Sequence, residues 1–491
     1  MDVVDATGYL LTALILLITI LIGGVIEYKN WTFISDGSAA VVLGMIAGGI
    51  LRAIEQPVSF DEKFFFNFLL PPIIFFAGFS LKRRQFFRNL SSILLFAYLG
   101  TIISTLVVGF LCLSLDYAGL VSLNAYEALL FGALISAVDP VATLSAFQKI
   151  EAPKLLYNLV FGEAVLNDAV AVVIFTSLLD VAVDASQDFT VEVGFRTLGV
   201  FIGVSIGSTA IGMFVGLIGA LALRTKFFTE PKMEMVLILL VAYVSYQLAQ
   251  TTELSGIMSI FFCGICSAHY SLHSVSSETG VNIFHFFETL AFLAEMAVFG
   301  YLGVAAFELN AIWNWGFNFS ALAFCLFGRA CTTFPISLLC NIRRKEKIPF
   351  KFQFVMWWSG LRGSIAVALA FALPKNNPNL PNIDSLLSAT LTVVLFTSLI
   401  MGGLTGPVLK VLGIEPDAEE TMRRQSGIPE VRPQAAGLHK LWKDFDNKYM
   451  KKVFGGSHTV KIESGLELEK SAAPMVLPPA EDDEITEIPL N

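Results

Sequence analysis

The sequence predicts an all-α polytopic membrane protein with about thirteen transmembrane helices. Of its 491 residues, 55% are hydrophobic and only 15% are charged, which is far less charge than a soluble domain of this length carries. The mean hydropathy is +0.70. Apolar runs long enough to cross a bilayer recur from residue 8 to about residue 413, and such runs are typical of membrane-spanning helices.

Polar breaks separate these apolar runs. The first run follows acidic residues and is not closed by a small-residue cleavage site, so we expect an uncleaved first span rather than a signal peptide. The predicted spans are, in order, 8–27, 33–54, 64–80, 89–115, 122–148, 154–180, 194–223, 232–250, 253–270, 282–307, 313–341, 351–373 and 383–413.

The connections between spans differ in their basic residues. Those at 80–89, 224–232 and 341–351 are rich in Lys and Arg, whereas those at 55–63 and 180–193 are poor in them. Because Lys and Arg accumulate in cytosolic loops, the basic side is predicted to be cytosolic. An odd number of spans then places the N-terminus outside or in a lumen and the C-terminal tail in the cytosol.

The chain is predicted to divide into a membrane domain at 1–415 and a cytosolic tail at 416–491. Residues at about 438–454 predict a basic amphipathic helix. Such a helix either lies on an anionic lipid surface or packs on the membrane domain or on a second protomer, and both readings stay open. The acidic end after Gly455 is predicted to be disordered. Because much of the acid lies there, the net charge of −9 says little about partners, and no nucleic acid is expected.

Ionisable residues within a span indicate a functional site unless they lie at a helix end that the interface wets. Glu127, Glu234 and Glu288 fit the interfacial explanation. Cys263 and Cys266 form a CxxC motif, but without a second ligand pair the motif favours helix packing over a redox or metal role.

Asp139 lies mid-span directly before Pro140. Proline cannot donate to the carbonyl four residues earlier, and it disfavours helix at the residue before it, so we expect the helix to break here. Such backbone is tolerated at membrane depth only where it lines a cavity or is buried in protein. The freed carbonyls and the hydroxyls of Thr143 and Ser145 are oxygen ligands suited to an alkali cation. For Asp139, ion-site support and stabilisation of the helix break stay equally open.

The stretch 160–175, "VFGEAVLNDAVAVVIF", holds three polar residues inside an apolar run. Glu163 and Asn167 are four residues apart and share a helix face, while Asp168 is turned about 100° from Asn167. One carboxylate can therefore face a cavity while the other pairs within the protein.

Two arginines also fall inside predicted spans. Arg329 and Arg362 each need an anion or the C-terminal end of a helix. Gly360 and Gly363 bracket Arg362, which makes its span a second candidate for a broken helix. One interrupted span in each half of the chain indicates an inverted-repeat transporter with a central site.

Five motifs, in order, resemble those of the sodium/proton exchangers of the monovalent cation:proton antiporter superfamily. They fall within about residues 8–415 and read "FFFNFLLPPIIFFAGFSLKRRQFFRN", "ISAVDPVATLSAF", "VFGEAVLNDAVAVV", "ELSGIMS" and "GLRGSIAVAL". Three segments are most similar in sequence to those of the organellar, endosomal branch of this family: "SLKRRQFFRNL", "FLAEMAVFGYLG" and "LWKDFDNKYMKKVF". Ala164 departs from that branch, which usually has Ser there, and the tail is shorter.

The resemblance implies a homodimer whose protomers have inverted repeats, two crossed broken helices and two bundles. The dimer bundle is expected at about 8–80 and 194–307, and the ion-transporting core bundle at about 89–180 and 313–413. The expected location is an endosomal or Golgi-type membrane, with the plasma membrane as the alternative.

The resemblance also assigns roles to individual residues. Asp168 is expected to bind the alkali cation, with Asn167, Asp139 and Thr143 around it. Glu163 and Arg329 match a core ion pair, for which a purely structural role is favoured over direct ion binding. The remaining matches are Arg362 and Ser364 for broken-helix support, Glu295 for pH sensing or gating, and Phe68, Leu69, Leu70, Pro71 and Pro72 for an inhibitor-type motif.

The implied function is secondary active antiport of Na⁺ and/or K⁺ against H⁺, by elevator-like alternating access, without a cofactor and without enzyme activity. It would regulate luminal or cytosolic pH and cation content. Because residue 167 is Asn and Glu163 is neutralised by Arg329, one carboxylate titrates, which predicts electroneutral 1:1 exchange. A monovalent cation channel is the alternative, although no repeated filter loop is visible. An intramembrane enzyme is disfavoured, since the chain has neither HExxH nor a GxS nucleophile loop with a partner histidine.

Overall fold

A computed structural model describes most of the chain, and its regular elements are helices, with no strand among the described residues. The predicted all-α fold class is therefore confirmed. The described residues are 3–29, 36–53, 62–81, 83–117, 119, 121–139, 143–144, 146–147, 150, 152–184, 191–225, 230–308, 314–344, 346–374, 377–414, 445 and 449–454.

Helices follow one another closely along the chain, and three of them contain a π-helical turn. The helices are α1 Val3–Tyr28, α2 Asp36–Ala53, α3 at 62–79 with the π turn Phe65–Leu69, α4 at 83–117 with the π turn Leu95–Gly100, α5 Ala125–Ser136, α6 Lys154–Asp184, α7 Val191–Arg224, α8 Pro231–Thr251, α9 Gly256–Tyr270, α10 Ser277–Glu308, α11 Trp315–Arg343, α12 Phe350–Trp358, α13 Ser364–Phe371, α14 at 383–411 with the π turn Thr397–Met401, and α15 Lys451–Phe454.

Seven helical stretches in the described part of the chain are long and apolar enough to cross a bilayer on their own. They correspond to α4, α6, α7, α8, α10, α11 and α14, and shorter apolar helices lie in α1, α2, α3 and α5. The chain is an integral membrane protein. The stretch 160–175 lies in α6, which is largely surrounded by protein, whereas α8 leaves most of its surface outside the protein interior.

Two helices are interrupted, and the interruptions meet. α5 ends at Ser136, and the backbone is extended at Ala137; Pro140 lies outside the described residues. The second interruption separates α12 from α13. The N–H of Asp139 donates to the carbonyl of Leu361 at 2.9 Å, so the two non-helical stretches cross and satisfy part of each other's backbone, as membrane depth requires.

The helices pack in two groups. The first bundle contains α1–α3 and α7–α10, the second bundle contains α4–α6 and α11–α14, and helices contact one another chiefly within their own bundle. In the first bundle, α2 and α10 approach backbone to backbone. A Cβ at Gly44 would overlap the Gly300 carbonyl, and a Cβ at Gly303 would overlap the Val41 carbonyl. Only glycine permits this approach, so α2 and α10 pack in direct backbone contact.

Two acidic residues that were predicted from the sequence to lie at the membrane–water interface are buried in the protein. Glu127 accepts the backbone N–H of Asn382 at 2.7 Å, and Glu234 accepts both the N–H and the hydroxyl of Ser276, at 3.2 and 3.0 Å. The interfacial explanation is wrong for both, because protein donors replace water at each carboxylate. Glu288 has a half-exposed side chain, in keeping with that explanation.

The predicted tail helix at 438–454 lies mostly outside the described residues, as does the acidic end of the chain. Its last turn, α15, contacts the membrane domain. The rings of Phe454 and Tyr270 have centroids 6.1 Å apart, and Arg224 donates to the carbonyl of Val453. This turn therefore packs on the ends of α7 and α9 in the first bundle.

Candidate functional site

Asp168 lies on α6 where the two interrupted helices cross. Its side chain is 8% exposed. Two charges act on it most strongly: the Asp139 carboxylate repels its negative charge and the Arg362 guanidinium attracts it. A carboxylate held at this depth carries a high cost unless a proton or a cation neutralises it.

Asn167 fixes the interrupted stretch beside Asp168. Its Oδ1 accepts the N–H of Val138 at 2.9 Å, and its Nδ2 donates to the hydroxyl of Thr101 at 2.7 Å. Thr101 follows the π turn of α4 and donates in turn to the carbonyl of Ala97. The amide therefore joins α6, α4 and the extended stretch after α5, and both ends of it contact protein.

Arg362 closes the C-terminal end of α5. Its Nη1 donates to the carbonyls of Ser136 and Ala137, at 3.3 and 3.2 Å, and its Nε contacts the Cys325 sulfur at 3.2 Å. These carbonyls have lost their helical donors, and the C-terminal end of a helix carries partial negative charge. The guanidinium thus has the helix-end partner that a buried arginine requires.

Glu163 and Arg329 form an ion pair near the crossing. The exposed fractions of their side chains are only 2% and 6%. Arg329 Nη2 also donates to the carbonyl of Met356 at 2.9 Å, near the end of α12. The pair therefore joins α6, α11 and the first half of the second interrupted helix.

Four other candidate residues follow from the sequence: Thr143, Ser364, Glu295 and Ser145, of which Ser145 lies outside the described residues. Thr143 is fully buried, and its hydroxyl has no hydrogen-bond partner within the described part of the chain. Ser364 is the first residue of α13 and is half-buried. Glu295, on α10 of the first bundle, is half-buried and faces the charge of Asp139 across the boundary between bundles.

The inhibitor-type motif at 68–72 lies apart in the first bundle, at the end of the π turn of α3. Phe68 is exposed, and its ring centroid is 6.5 Å from that of Tyr243 on α8. Leu69 and Pro72 are half-buried, and Leu70 and Pro71 are buried.

The two cysteines of the CxxC motif, Cys263 and Cys266, are free thiols buried in α9.

Three contributors to the crossing were not singled out from the sequence: Thr101, Thr397 and Ser398. Thr397 Oγ1 accepts the N–H of Arg362 at 3.0 Å, and Ser398 Oγ donates to the Arg362 carbonyl at 3.0 Å. In the sequence, the only sign of Thr397 and Ser398 was that two adjacent hydroxyl residues lie inside a predicted span. Its partner lies 35 residues away in the chain, so spacing could not identify it.

Gly363 is expected to tolerate no side chain, because a Cβ built there would overlap the Asp139 carboxylate. We expect Gly363→Ala to displace Asp139 and to lower the free energy of unfolding by about 1–3 kcal/mol. Thermal unfolding of the purified variant measures this. Gly199→Ala on α7 is the matched control, since nothing lies within 4 Å of a Cβ there. Equal melting temperatures for the two variants would contradict the prediction.

The geometry suits competition between a proton and a small cation. The Asp168 carboxylate is buried, and the described contacts give it no hydrogen bond from a cationic side chain, so either a proton or a cation can neutralise it. Oxygen donors such as carboxylate, hydroxyl and backbone carbonyl are the ligands that hard cations prefer.

We compared the sequence and the fold of this chain with those of known proteins, and the matches point to one family. Residues 13–411 match the sequence model of the family described as "Sodium/hydrogen exchanger, transmembrane". Sodium/hydrogen exchanger 9 of Equus caballus is 37% identical over 451 residues, which cover 87% of this chain and 68% of the relative. Sodium/hydrogen exchanger 1 of Oryza sativa is 33% identical, covering 92% of this chain and 93% of the relative.

The human sodium/hydrogen exchanger 9 is also 37% identical, and the match covers 82% of this chain but only 65% of that protein. This chain thus spans about two thirds of the length of these mammalian relatives. The solved structure of the sodium proton antiporter MjNhaP1 from Methanocaldococcus jannaschii superposes with a TM-score of 0.65 at 20% identity. That match covers 84% of this chain and 100% of the antiporter. At this identity the superposition supports the fold.

Proposed function

Because this chain belongs to the sodium/hydrogen exchanger family, we propose that it exchanges Na⁺ for H⁺ across a membrane, with K⁺ as a further candidate cation. It is a transporter rather than an enzyme. The observation that carries the proposal is the buried carboxylate of Asp168 at the crossing of two interrupted helices.

Exchange follows from competition at Asp168. A proton and an alkali cation each neutralise the carboxylate, and both cannot occupy it together. The Asp139 carboxylate and the Thr143 hydroxyl supply further oxygens for the cation, while Asn167 holds the stretch that carries Asp139. The empty, charged site crosses poorly because an uncompensated carboxylate is costly at low dielectric.

Alternating access follows from the division into two bundles. In this proposal the second bundle is the ion-carrying core, which moves past the first bundle like an elevator. Arg362, Ser364 and the Glu163–Arg329 pair keep the interrupted helices together during the movement. Glu295 faces Asp139 from the first bundle, which suits a gating or pH-sensing role.

The exchange is electroneutral in this proposal. Residue 167 is an amide whose two ends contact protein, and Glu163 is paired with Arg329. Asp168 then carries one proton or one monovalent cation in each direction, and no net charge crosses. The physiological result is control of luminal or cytosolic pH and cation content.

The assembly and location belong to the same proposal. The chain forms a homodimer through its first bundle in an endosomal or Golgi-type membrane, with the basic loops and the tail facing the cytosol. Anionic lipid is a further proposed partner of the protein, and the motif at 68–72 accepts an amiloride-type inhibitor.

The test is cation-driven proton movement in proteoliposomes under a clamped membrane voltage, with Na⁺ and K⁺ added in turn. The proposal expects proton movement opposite to the cation, with a reversal point independent of voltage. Cation flux without proton movement would establish a channel instead. A reversal point that moves with voltage would overturn electroneutrality while leaving antiport intact.

Asn167→Asp is expected to make the exchange sensitive to voltage, because it adds a second carboxylate beside Asp168 and a second proton can then cross. The shift of the reversal point under clamped voltages measures this. Asn158→Asp is the control: it makes the same change on the same helix, where the side chain donates to Lys154 at 2.5 Å. Voltage-independent exchange by Asn167→Asp would show that an added carboxylate at 167 carries no proton.

A further inference from the structure

A hydrogen bond joins the two bundles beside the crossing. Ser38, in the first turn of α2, donates from its hydroxyl to the carbonyl of Ser398 in the π turn of α14 at 3.1 Å. Both side chains are buried, with 7% exposure each. Ser38 belongs to the first bundle and Ser398 to the second, so any sliding of one bundle past the other must stretch this bond.

On the α2 side of this bond, α2 packs closely against α10. Gly44 and Gly48 let α2 lie directly on the backbone of α10, where a Cβ at Gly48 would come within 2.8 Å of the Val304 carbonyl. Just before Ser38, a Cβ at Gly37 would meet the ring of Phe299 at 3.1 Å. Ser38 therefore cannot follow a moving partner without displacing α10 as well.

The α14 side leads to the ion site. Ser398 Oγ donates to the carbonyl of Arg362 at 3.0 Å, and the Arg362 guanidinium donates to the carbonyls of Ser136 and Ala137. These residues end α5 just before Asp139. A continuous series of hydrogen bonds thus runs from the first bundle through the π turn to the backbone at the crossing.

We propose that Ser38 is a positioning residue that sets the balance between the conformations of this protein. Its bond to Ser398 stabilises the arrangement of bundles in this structure relative to any arrangement in which α2 and the π turn have moved apart. The inference rests on the proposed alternating access. Ser38 acts through Ser398 and Arg362 and does not contact the transported ion.

The size of the effect follows from the loss of one buried hydrogen bond. Ser38→Ala removes the donor, and alanine suits a helix at least as well as serine, so folding is preserved. The population of this conformation relative to the alternative should fall about fivefold, equivalent to ~1 kcal/mol.

Double electron–electron resonance tests this directly. Nitroxide labels are placed at Tyr28→Cys on α1 and Val411→Cys on α14, both highly exposed, in full-length protein whose six cysteines have been replaced by alanine. Distance distributions are recorded without Na⁺ at fixed pH. The expected result is that Ser38→Ala lowers the ratio of the distance that matches this structure to the alternative distance about fivefold, and that Ser38→Thr, which keeps the hydroxyl, restores this ratio.

Thr19→Val is the matched control, because the Thr19 hydroxyl is buried in the same bundle and donates to Ile15 of its own helix at 2.8 Å. An unchanged distribution for Ser38→Ala, or an equal change for Thr19→Val, would overturn the inference. The distances need no transport activity. If wild-type protein fails to exchange Na⁺ for H⁺ while Ser38→Ala still shifts the distances, the proposed function fails and the positioning role stands.

Discussion

Asp168→Asn should reduce cation-driven proton movement in proteoliposomes to the rate of protein-free vesicles. An amide has nearly the shape of the carboxylate, but it neither takes up a proton near neutral pH nor offers a negative charge to a cation. The protein should still fold, because removing a charge that is 8% exposed removes a desolvation cost. Proton movement driven by Na⁺, measured beside melting temperature, separates loss of function from loss of fold.

Asp384→Asn is the matched control for this experiment. Asp384 lies in the first turn of α14 in the same bundle, and its side chain is exposed. The control should lose only the small interaction of its charge with the helix N-terminus, about 0.3–1 kcal/mol, and should exchange at the wild-type rate. If Asp168→Asn exchanges as fast as Asp384→Asn, Asp168 is scaffold, and Asp139 becomes the leading candidate for the ion site.

Breaking the Glu163–Arg329 pair should give the largest loss of stability. Glu163→Gln leaves the Arg329 charge buried without its partner, and an uncompensated buried charge costs about 3–5 kcal/mol. The loss should appear as a clear fall in the melting temperature of the purified protein. Lys232→Ala is the control, because Lys232 pairs with Glu230 at side-chain exposures of 75% and 54%, where ion pairs contribute little.

A double variant distinguishes the two roles that the sequence left open for this pair. Replacing both partners by apolar side chains, Glu163→Leu with Arg329→Met, removes both charges and should recover much of the lost stability. If the double variant also recovers exchange, the pair is structural. If it is stable but silent, Glu163 takes part in ion movement and the single-carboxylate mechanism needs revision.

The sequence by itself determined the fold class and the location of the polar residues. Composition and the spacing of apolar runs require spanning helices, since a lipid-exposed backbone must satisfy its hydrogen bonds within the segment. Pro140 predicted the helix break near Asp139, and the glycines on either side of Arg362 predicted the second helix break. These are local constraints, so local sequence suffices. Position at mid-span likewise marked Asp139, Glu163 and Asp168, because a carboxylate there is costly wherever the remainder of the chain lies. The resemblance to the exchangers, and not the position, then singled out Asp168 as the ion-binding residue.

The tertiary structure alone decided the partners. The sequence indicated that Arg362 needs an anion or a helix end, but not that this end would be that of α5. No pattern indicated that Asn167 would contact Val138 and Thr101. Nor did any pattern indicate that Ser38 would reach Ser398, 360 residues away in the chain. Glu127 and Glu234 show the same limit, because their positions at helix ends predicted wetting, whereas packing supplied protein donors instead. A hydrogen bond depends on positions within a few tenths of an ångström. Only the packing of all the helices sets those positions.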